Sequence, residues 1–342
     1  MFHGRPATHI EIAVTSRWKS LMKRPRISAF TWLILITVFL ASVWPARGAL
    51  ADALAHAATL GVALLFFVHG AALPREAVIA GLTQWRLHLF IFGITFLLFP
   101  LFVVPLARLG SSWLPEHLLL GFLYLAVLPS AVSSSIAYTA VAKGNVPAAI
   151  CSAAGSNLLG MLLTPLLLSL ILDRSDANAF ALDGSIQDIV VEMLLPFVAG
   201  QLLRPVLLPV LTRYPTLSER VDQSVLLLII YVAFAQSVVS GLWAQVPFSI
   251  LILAALLCFI LLAFVLVLTA ILARRLGFTR ADEIAAVFCG SKKSLASGLP
   301  MAKVLFAGHP GFGLIVLPIM LYNQIQIMVG ALLAERYAQK PR

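Results

Sequence analysis

Residues 288–300 decide the fold, and they read Phe-Cys-Gly-Ser-Lys-Lys-Ser-Leu-Ala-Ser-Gly-Leu-Pro. The stretch lies in an apolar segment, about Ala281–Phe306, so Lys292 and Lys293 fall in the middle of an expected membrane span. A lysine at the centre of a membrane helix costs about 2.5–3.5 kcal/mol, so it is expected to face protein or water. The nearby glycines and proline disfavour a continuous helix. A broken helix that carries a binding site is therefore predicted, and a solvated surface loop is the alternative.

Composition identifies the class of protein. Of the 342 residues, 61% are hydrophobic and 11% are charged, and apolar runs of spanning length recur. This is typical of an all-α polytopic membrane protein. The net charge is +10, but no basic helix is interleaved with aromatic residues, so nucleic-acid binding is rejected. Cys151, Cys258 and Cys289 lie in apolar segments, which favours small core residues over disulfides or a metal site.

Hydropathy predicts ten spans. They are expected at about Ala29–Trp44, Leu54–Leu73, Leu87–Leu106, Leu118–Ala142, Pro147–Leu172, Ile186–Leu203, Ser224–Leu242, Phe248–Leu272, Ala281–Leu305 and Gly313–Ala334. The first run ends in small residues, like a signal peptide, but the basic region before it is long. We interpret it as a retained helix. The chain then divides into a basic tail at 1–28, a helical domain at 29–335 and a short tail at 336–342.

The loop charges give the predicted orientation. With a cytoplasmic N-terminus and ten crossings, most lysines and arginines fall on the inner side, as the positive-inside rule requires. The longest outer loop is acidic and contains Asp173, Asp176 and Asp183. Both termini are therefore predicted in the cytoplasm, with the protein in the cytoplasmic (inner) membrane. Two blocks of five helices enter the membrane in opposite senses, which indicates an inverted repeat.

The fourth helix of each block is interrupted. In the first block the interrupted helix contains Pro129-Ser130-Ala131-Val132-Ser133-Ser134-Ser135-Ile136-Ala137-Tyr138-Thr139, and in the second it is the lysine stretch. Paired interruptions at matching positions are typical of the binding site of a secondary transporter.

Polar side chains near these interruptions are candidates for substrate or ion binding. Oxygens of Ser133, Ser134 and Ser135 suit a sodium ion, although serines also bond back to their own helix. In the next helix Ser152 and Ser156 share a face, and Asn157 lies one position round. These three residues indicate either a binding site or a hydrogen-bonded contact between helices.

Other intramembrane polar residues carry weaker signals. Thr95 in the third helix is of a type that usually bonds to its own backbone. Glu192 is the acid placed well inside a predicted span, so it is a candidate proton carrier or a residue near the outer headgroups. Asn323, Gln324 and Gln326 in the last helix could line a cavity or bond between helices.

The two lysines are neighbours, and a helical path would place them about 100° apart. They cannot readily both face one small ligand. One is expected to meet a substrate anion or to replace a bound cation, and the other to reach a carbonyl or to lose its proton. Ser291 and Ser294 flank the pair and belong to the same candidate site.

These residues resemble the bile acid:sodium symporter family. The resemblance is carried by Lys143-Gly144-Asn145-Val146, the Pro129 break, Leu163-Thr164-Pro165, Phe67-Val68-His69-Gly70-Ala71-Ala72-Leu73 and Ser297-Gly298-Leu299. The double lysine is similar to a divergent branch that includes bacterial symporters and a vertebrate orphan carrier. The resemblance implies a panel domain (helices 1, 2, 6 and 7) and a core domain (helices 3–5 and 8–10) in which broken helices 4 and 9 cross.

The resemblance also implies two sodium ions near the crossing and an organic anion bound between the domains. Ser134 and Ser135 match first-site sodium ligands, and Thr95 matches a second-site glutamine. The chain departs from the family where residues 288–293 contain lysines and no acid, and where Ala149 and Ala153 replace hydroxyl ligands. A fixed ammonium could stand where sodium would bind, so the coupling ion is left open between sodium, protons and neither.

Three functions follow from these residues. We expect a secondary transporter of a small organic anion, with no resident cofactor, working by alternating access. The alternatives are a membrane regulator on a transporter scaffold and an intramembrane hydrolase with Ser291 or Ser294 as nucleophile and a lysine as base. The oligomeric state and the substrate are not predicted.

Overall fold

The computed structural model describes residues 29–72, 84–110, 112–172, 190–241, 246–309 and 311–339. Throughout these ranges the regular structure is helical and contains no strand, as the composition predicts. The predicted tail at 1–28, the start of the sixth span at Ile186 and the acidic outer loop lie outside the described residues.

The helices follow the predicted spans closely. In chain order they are α1 (Ala29–Val43), α2 (Ala49–Ala72), α3 (Trp85–Gly110, with a π turn at Ile94–Leu98), α4 (Glu116–Val127), α5 (Val132–Val141), α6 (Val146–Ile171), α7 (Leu195–Arg213, after a π turn at Val190–Leu194), α8 (Leu217–Val239), α9 (Phe248–Arg275), α10 (Arg280–Ser291), α11 (Leu295–Leu305) and α12 (Phe312–Gln339). Helix α12 continues past the boundary predicted at 335.

Several of these helices can cross a bilayer. Within the described ranges seven are long and apolar enough, namely α2, α3, α6, α7, α8, α9 and α12, and α4 with α5 makes an eighth if the pair is one span bent by 57°. Helix α1 is apolar but has only 15 residues. The chain is therefore a multi-pass membrane protein. Ten crossings in two inverted repeats remain a prediction.

Both predicted breaks are present. The first break, residues 128–131, separates α4 from α5, and the second break, residues 292–294, separates α10 from α11. Leu128 has an extended backbone (φ −70°, ψ 150°), as the residue before a proline prefers. Lys292 is also extended (φ −96°, ψ 143°), and the Ser294 hydroxyl caps α11 by accepting from the Ser297 N–H at 3.1 Å.

The glycine and proline signals were placed wrongly at the second break. Gly290 lies in α10, and Gly298 and Pro300 lie inside α11. The small size of a glycine serves packing instead, because a Cβ on Gly298 would be 2.8 Å from Leu128 Cδ1. The glycine therefore lets α11 approach the first break.

The helices pack in two sets. One set is α1, α2, α7 and α8, and the other is α3–α6 with α9–α12. Inside the first set α2 and α7 touch through their backbones, since a Cβ on Gly70 would lie 2.0 Å from Phe197 O and one on Gly200 would lie 1.9 Å from Phe67 O. The sets meet mainly where α8 packs on α11 and α12.

Candidate functional site: the crossing of two broken helices

The two breaks contact each other directly. The Ser294 N–H donates to Pro129 O at 2.9 Å, and the Ser130 hydroxyl donates to Cys289 O at 2.6 Å. Each break thus supplies a partner to the other's loose backbone. This satisfies polar groups that lipid could not.

Asn157 and Ser156 on α6 hold the crossing from one side. Asn157 Nδ2 donates to Ser130 O at 2.7 Å, and Asn157 Oδ1 accepts from the Ser297 hydroxyl. Ser156 Oγ accepts from the Ser130 N–H at 3.0 Å. The structure therefore brings both predicted residues to the first break, where they bond between helices.

Gln326 on α12 holds the second break from the other side. Its side chain accepts from the Lys293 N–H at 2.9 Å and donates to Lys293 O at 2.8 Å. Two tyrosines assist, because Tyr322 donates to Ser291 O at 2.7 Å and Tyr124 donates to Gly298 O at 2.6 Å. Gln326 thereby pairs the extended backbone at Lys293, and the tyrosines bond to the helices on either side of the break.

The Lys293 ammonium lies in a cage of backbone oxygens. It donates to Thr95 O at 2.9 Å, to Ala126 O at 2.8 Å and to Leu128 O at 2.8 Å, and it lies 4.0 Å from the centre of the Phe99 ring. An ammonium has three N–H donors, so these carbonyls use all of them. The side chain is 0% exposed. We call these three carbonyls and the ring the carbonyl cage.

Irregular backbone makes these carbonyls available. In a regular helix the Phe99 N–H would bond to Thr95 O, but at the π turn it bonds to Ile94 O. The Ser130 N–H, which would continue α4 by bonding to Ala126 O, bonds to Ser156 instead. The Thr95 hydroxyl bonds to Ile91 O at 2.9 Å, so the backbone of Thr95, rather than its predicted side chain, faces the site.

Lys292 points elsewhere. Its Nζ lies 3.9 Å from the centre of the Tyr138 ring and 6.0 Å from that of Phe288, and its one hydrogen bond among the described contacts is to Gln326 O at 3.4 Å. The side chain is 1% exposed. Because the break is extended, neighbouring side chains leave it on opposite sides, whereas a helical path would have separated them by about 100°.

The other candidate serines are divided between structural and open positions. Ser133 is exposed and Ser134 is half-buried on the first turn of α5, while the buried Ser135 donates to Phe288 O at 2.9 Å. Ser291 donates to Val287 O at 2.5 Å. The Ser291 hydroxyl therefore bonds to the backbone of its own helix, and the Ser294 hydroxyl bonds to Ser297 as the cap of α11. In the described part of the chain no hydrogen bond joins either serine to a lysine amine.

Ser152 and Glu192 lie away from the breaks. Ser152 Oγ and His88 Nδ1 share a hydrogen bond of 2.6 Å between α6 and α3. Glu192 is half-buried in the π turn before α7, and its charge interacts with that of Lys303 on α11. The two opposite charges thus attract each other across the two helix sets.

Sequence reasoning missed some buried polar groups in and near the site. Tyr124, Tyr138 and Tyr322 were not candidates, although a tyrosine hydroxyl in a membrane span needs a partner and so is a usable signal. Glu283 was also missed. It is 6% exposed, pairs with Arg274 at 2.7 Å and accepts from Tyr337 at 2.9 Å near the start of α10.

Comparison with known proteins identifies the family. The profile described as the SBF-like CPA transporter family matches residues 28–339. The chain belongs to this family. The resemblance to bile acid:sodium symporters is therefore confirmed, and the chain is a transporter homologue rather than a member of an enzyme family.

Family relatives match along nearly the whole chain. "Uncharacterized protein PA2026" of Pseudomonas aeruginosa is 49% identical, over 93% of this chain and 96% of its own. "Putative symporter YfeH" of Escherichia coli is 44% identical, over 92% and 94%. "Sodium/bile acid cotransporter 7" of Rattus norvegicus is 33% identical, over 92% and 93%. The relatives of this chain thus include both bacterial and vertebrate proteins.

Proposed function

We propose that this protein is a secondary transporter that moves a small organic anion across the cytoplasmic membrane by alternating access. The observation that carries the proposal is the pair of buried lysines where two broken helices cross. Among the described residues no carboxylate oxygen lies within 4.0 Å of either amine. Buried positive charge without a protein counter-charge is stabilised by an anion, which favours an anionic cargo.

Lys292 is the lysine that meets the cargo. Lys293 has no donor left over, because three carbonyls accept from its ammonium. Lys292 makes one hydrogen bond of 3.4 Å, so an ammonium with three donors can still bind a carboxylate or sulfonate. The aromatic rings of Tyr138 and Phe288 beside it suit an apolar cargo body, such as that of a bile-acid-like molecule or another conjugated acid.

Alternating access is supported by the two helix sets. We assign α1, α2, α7 and α8 to the panel and the remaining helices to the core, and the panel rocks against the core. Glu192 and Lys303 attract each other across the two sets, and this attraction would weaken when the sets separate. We place both termini in the cytoplasm.

Ion coupling is part of the same proposal. Ser134 and Ser135 are the proposed sodium ligands, and Glu192 is the proposed carrier if protons drive transport instead. The exposed Ser133 hydroxyl and the N–H groups of the first turn of α5 are further donors that can meet the cargo's negative end.

The test is uptake of radiolabelled taurocholate and of a panel of smaller carboxylates and sulfate conjugates into proteoliposomes. We expect saturable uptake of at least one anion, faster with an inward sodium or proton gradient than without it. Absence of saturable uptake for every anion contradicts the proposal. A gradient effect lost in Ser134→Ala supports sodium at that position.

Matched variants locate the charge. Lys292→Met is expected to reduce uptake by about tenfold or more, since it removes a charge-assisted hydrogen bond of about 1.5–3 kcal/mol. Lys292→Arg keeps the charge and is expected to retain part of the uptake. Lys143→Met is the same substitution at an exposed position outside the crossing, and a loss of uptake equal to that of Lys292→Met would contradict the assignment.

A further inference from the structure

We propose that the Lys293 ammonium is a tethered substitute for an inorganic monovalent cation, and that the carbonyl cage is a cation site in its own right. Removing the side chain is then expected to leave a site that binds sodium, potassium or a small alkylammonium ion. The inference concerns the cage alone and does not require that the cargo be an organic anion.

The first support is the completeness of the coordination. Three carbonyl oxygens at 2.8–2.9 Å match the three donors of the ammonium, and the Phe99 ring covers it at 4.0 Å. These distances are typical of charge-assisted hydrogen bonds, and the ring distance is typical of cation–π contact. A buried ammonium needs every donor paired, and here the backbone alone supplies all three partners.

The second support is the origin of the oxygens. Thr95 O is released by the π turn, Ala126 O by the end of α4, and Leu128 O belongs to the first break. None of these irregularities is made by the lysine side chain. Rings of backbone carbonyls replace the hydration shell of monovalent cations in selective membrane pores. We therefore expect the cage to keep its shape when the ammonium is removed.

The third support is what the ammonium joins. The oxygens come from α3, from the end of α4 and from the first break, while the amine comes from the second break. A bound inorganic ion at this point would tie the same segments together only while it was bound. A covalently attached ion ties them in every state of the cycle, so this contact does not respond to ion gradients.

The test compares the thermal stability of purified, detergent-solubilised wild type, Lys293→Ala and Lys292→Ala. Each is measured in N-methylglucamine chloride, then with increasing sodium, potassium or ethylammonium chloride at constant ionic strength. We expect Lys293→Ala to unfold at a lower temperature and to gain a saturable rise of about 5 °C with at least one of these cations, beyond any rise in wild type. Ethanol at the same concentrations is the neutral control and is expected to give no rise.

Lys292→Ala removes an equally buried lysine that lacks the cage, so it is expected to gain no cation response. A cation response in Lys292→Ala equal to that in Lys293→Ala, or none in Lys293→Ala, overturns the proposal. If Lys293→Ala does not fold, Lys293→Gln keeps N–H donors without charge. It is expected to be less stable than wild type, and equal stability would overturn the proposal because neutral donors would then suffice.

These stability measurements do not depend on transport. A protein that shows no anion uptake but gains a cation site in Lys293→Ala contradicts the proposed function and supports the cage. The reverse result supports the function and contradicts the cage.

Discussion

Gln326→Leu is the substitution that most directly tests how the second break is held. Gln326 is 1% exposed, and its amide pairs with both the N–H and the C=O of Lys293, at 2.9 and 2.8 Å. Leucine has a similar volume and can make neither bond. Each buried backbone group left without a partner costs about 1–3 kcal/mol, so the expected loss of unfolding free energy is about 2–6 kcal/mol.

Gln324→Leu is the matched control, two residues away on α12. The Gln324 side chain is part-buried and accepts from the Thr31 hydroxyl at 2.8 Å. Loss of that single bond is expected to cost about 0.5–1.5 kcal/mol. Gln326→Glu keeps the acceptor for the Lys293 N–H and loses the donor, so an intermediate stability is expected.

The assay is the unfolding temperature of the detergent-solubilised protein, followed by fluorescence-detected size-exclusion chromatography. A difference of about 3 kcal/mol between the Gln326 and Gln324 variants is expected to lower the midpoint by on the order of 5 °C or more. Equal midpoints would refute the reasoning, because the backbone of the second break would then be satisfied without Gln326.

Three further predictions concern other parts of the fold. Gly330→Ala places a Cβ 2.7 Å from Tyr138 Cε2, so we expect anion uptake to fall severalfold while the protein still folds, as proteoliposome flux and chromatography can show. Gly200→Ala puts a Cβ 1.9 Å from a backbone oxygen of α2, so we expect it to reduce the yield of folded protein sharply. Its control is Gly93→Ala, whose Cβ meets nothing within 4 Å and which is expected to stabilise α3 by about 0.5–1 kcal/mol. Burial lowers the pKa of His309 from 6.5, so below about pH 6.5 the unfolded chain binds more protons than the folded protein and the stability falls. His309→Gln is expected to flatten this fall when the unfolding temperature is measured between pH 5 and 8.

The helices and the positions of the breaks were predictable because each has a local cause. Apolar runs determine the spans, and Pro129 restricts Leu128 to extended backbone. The adjacent lysines correctly predicted a second break, but the glycines were assigned to it wrongly. A glycine allows a turn and a close contact equally well, and only the neighbouring helix shows which one is used.

The carbonyl cage was not predictable from residue types. Its ligands are backbone oxygens, which every residue carries, and the π turn over Ile94–Leu98 has no distinctive sequence. The partner of the Lys293 backbone, Gln326, lies in another helix and was one of several polar residues there. The contact of Asn157 with the first break was easier to predict, because an amide side chain in a membrane span needs a partner and a helix break offers one.

The extended backbone of the second break gives two adjacent lysines different surroundings, and this predicts that arginine is tolerated at only one of them. Around Lys293 three carbonyls converge on one nitrogen, and a planar guanidinium cannot direct three donors at them from a single atom. Lys292 lies over the Tyr138 ring, and guanidinium groups stack well on aromatic faces. We therefore expect Lys292→Arg to fold and keep measurable anion uptake, and Lys293→Arg to unfold at a markedly lower temperature. Equal behaviour of the two variants would show that the lysines share one environment, contrary to the separate contacts described above.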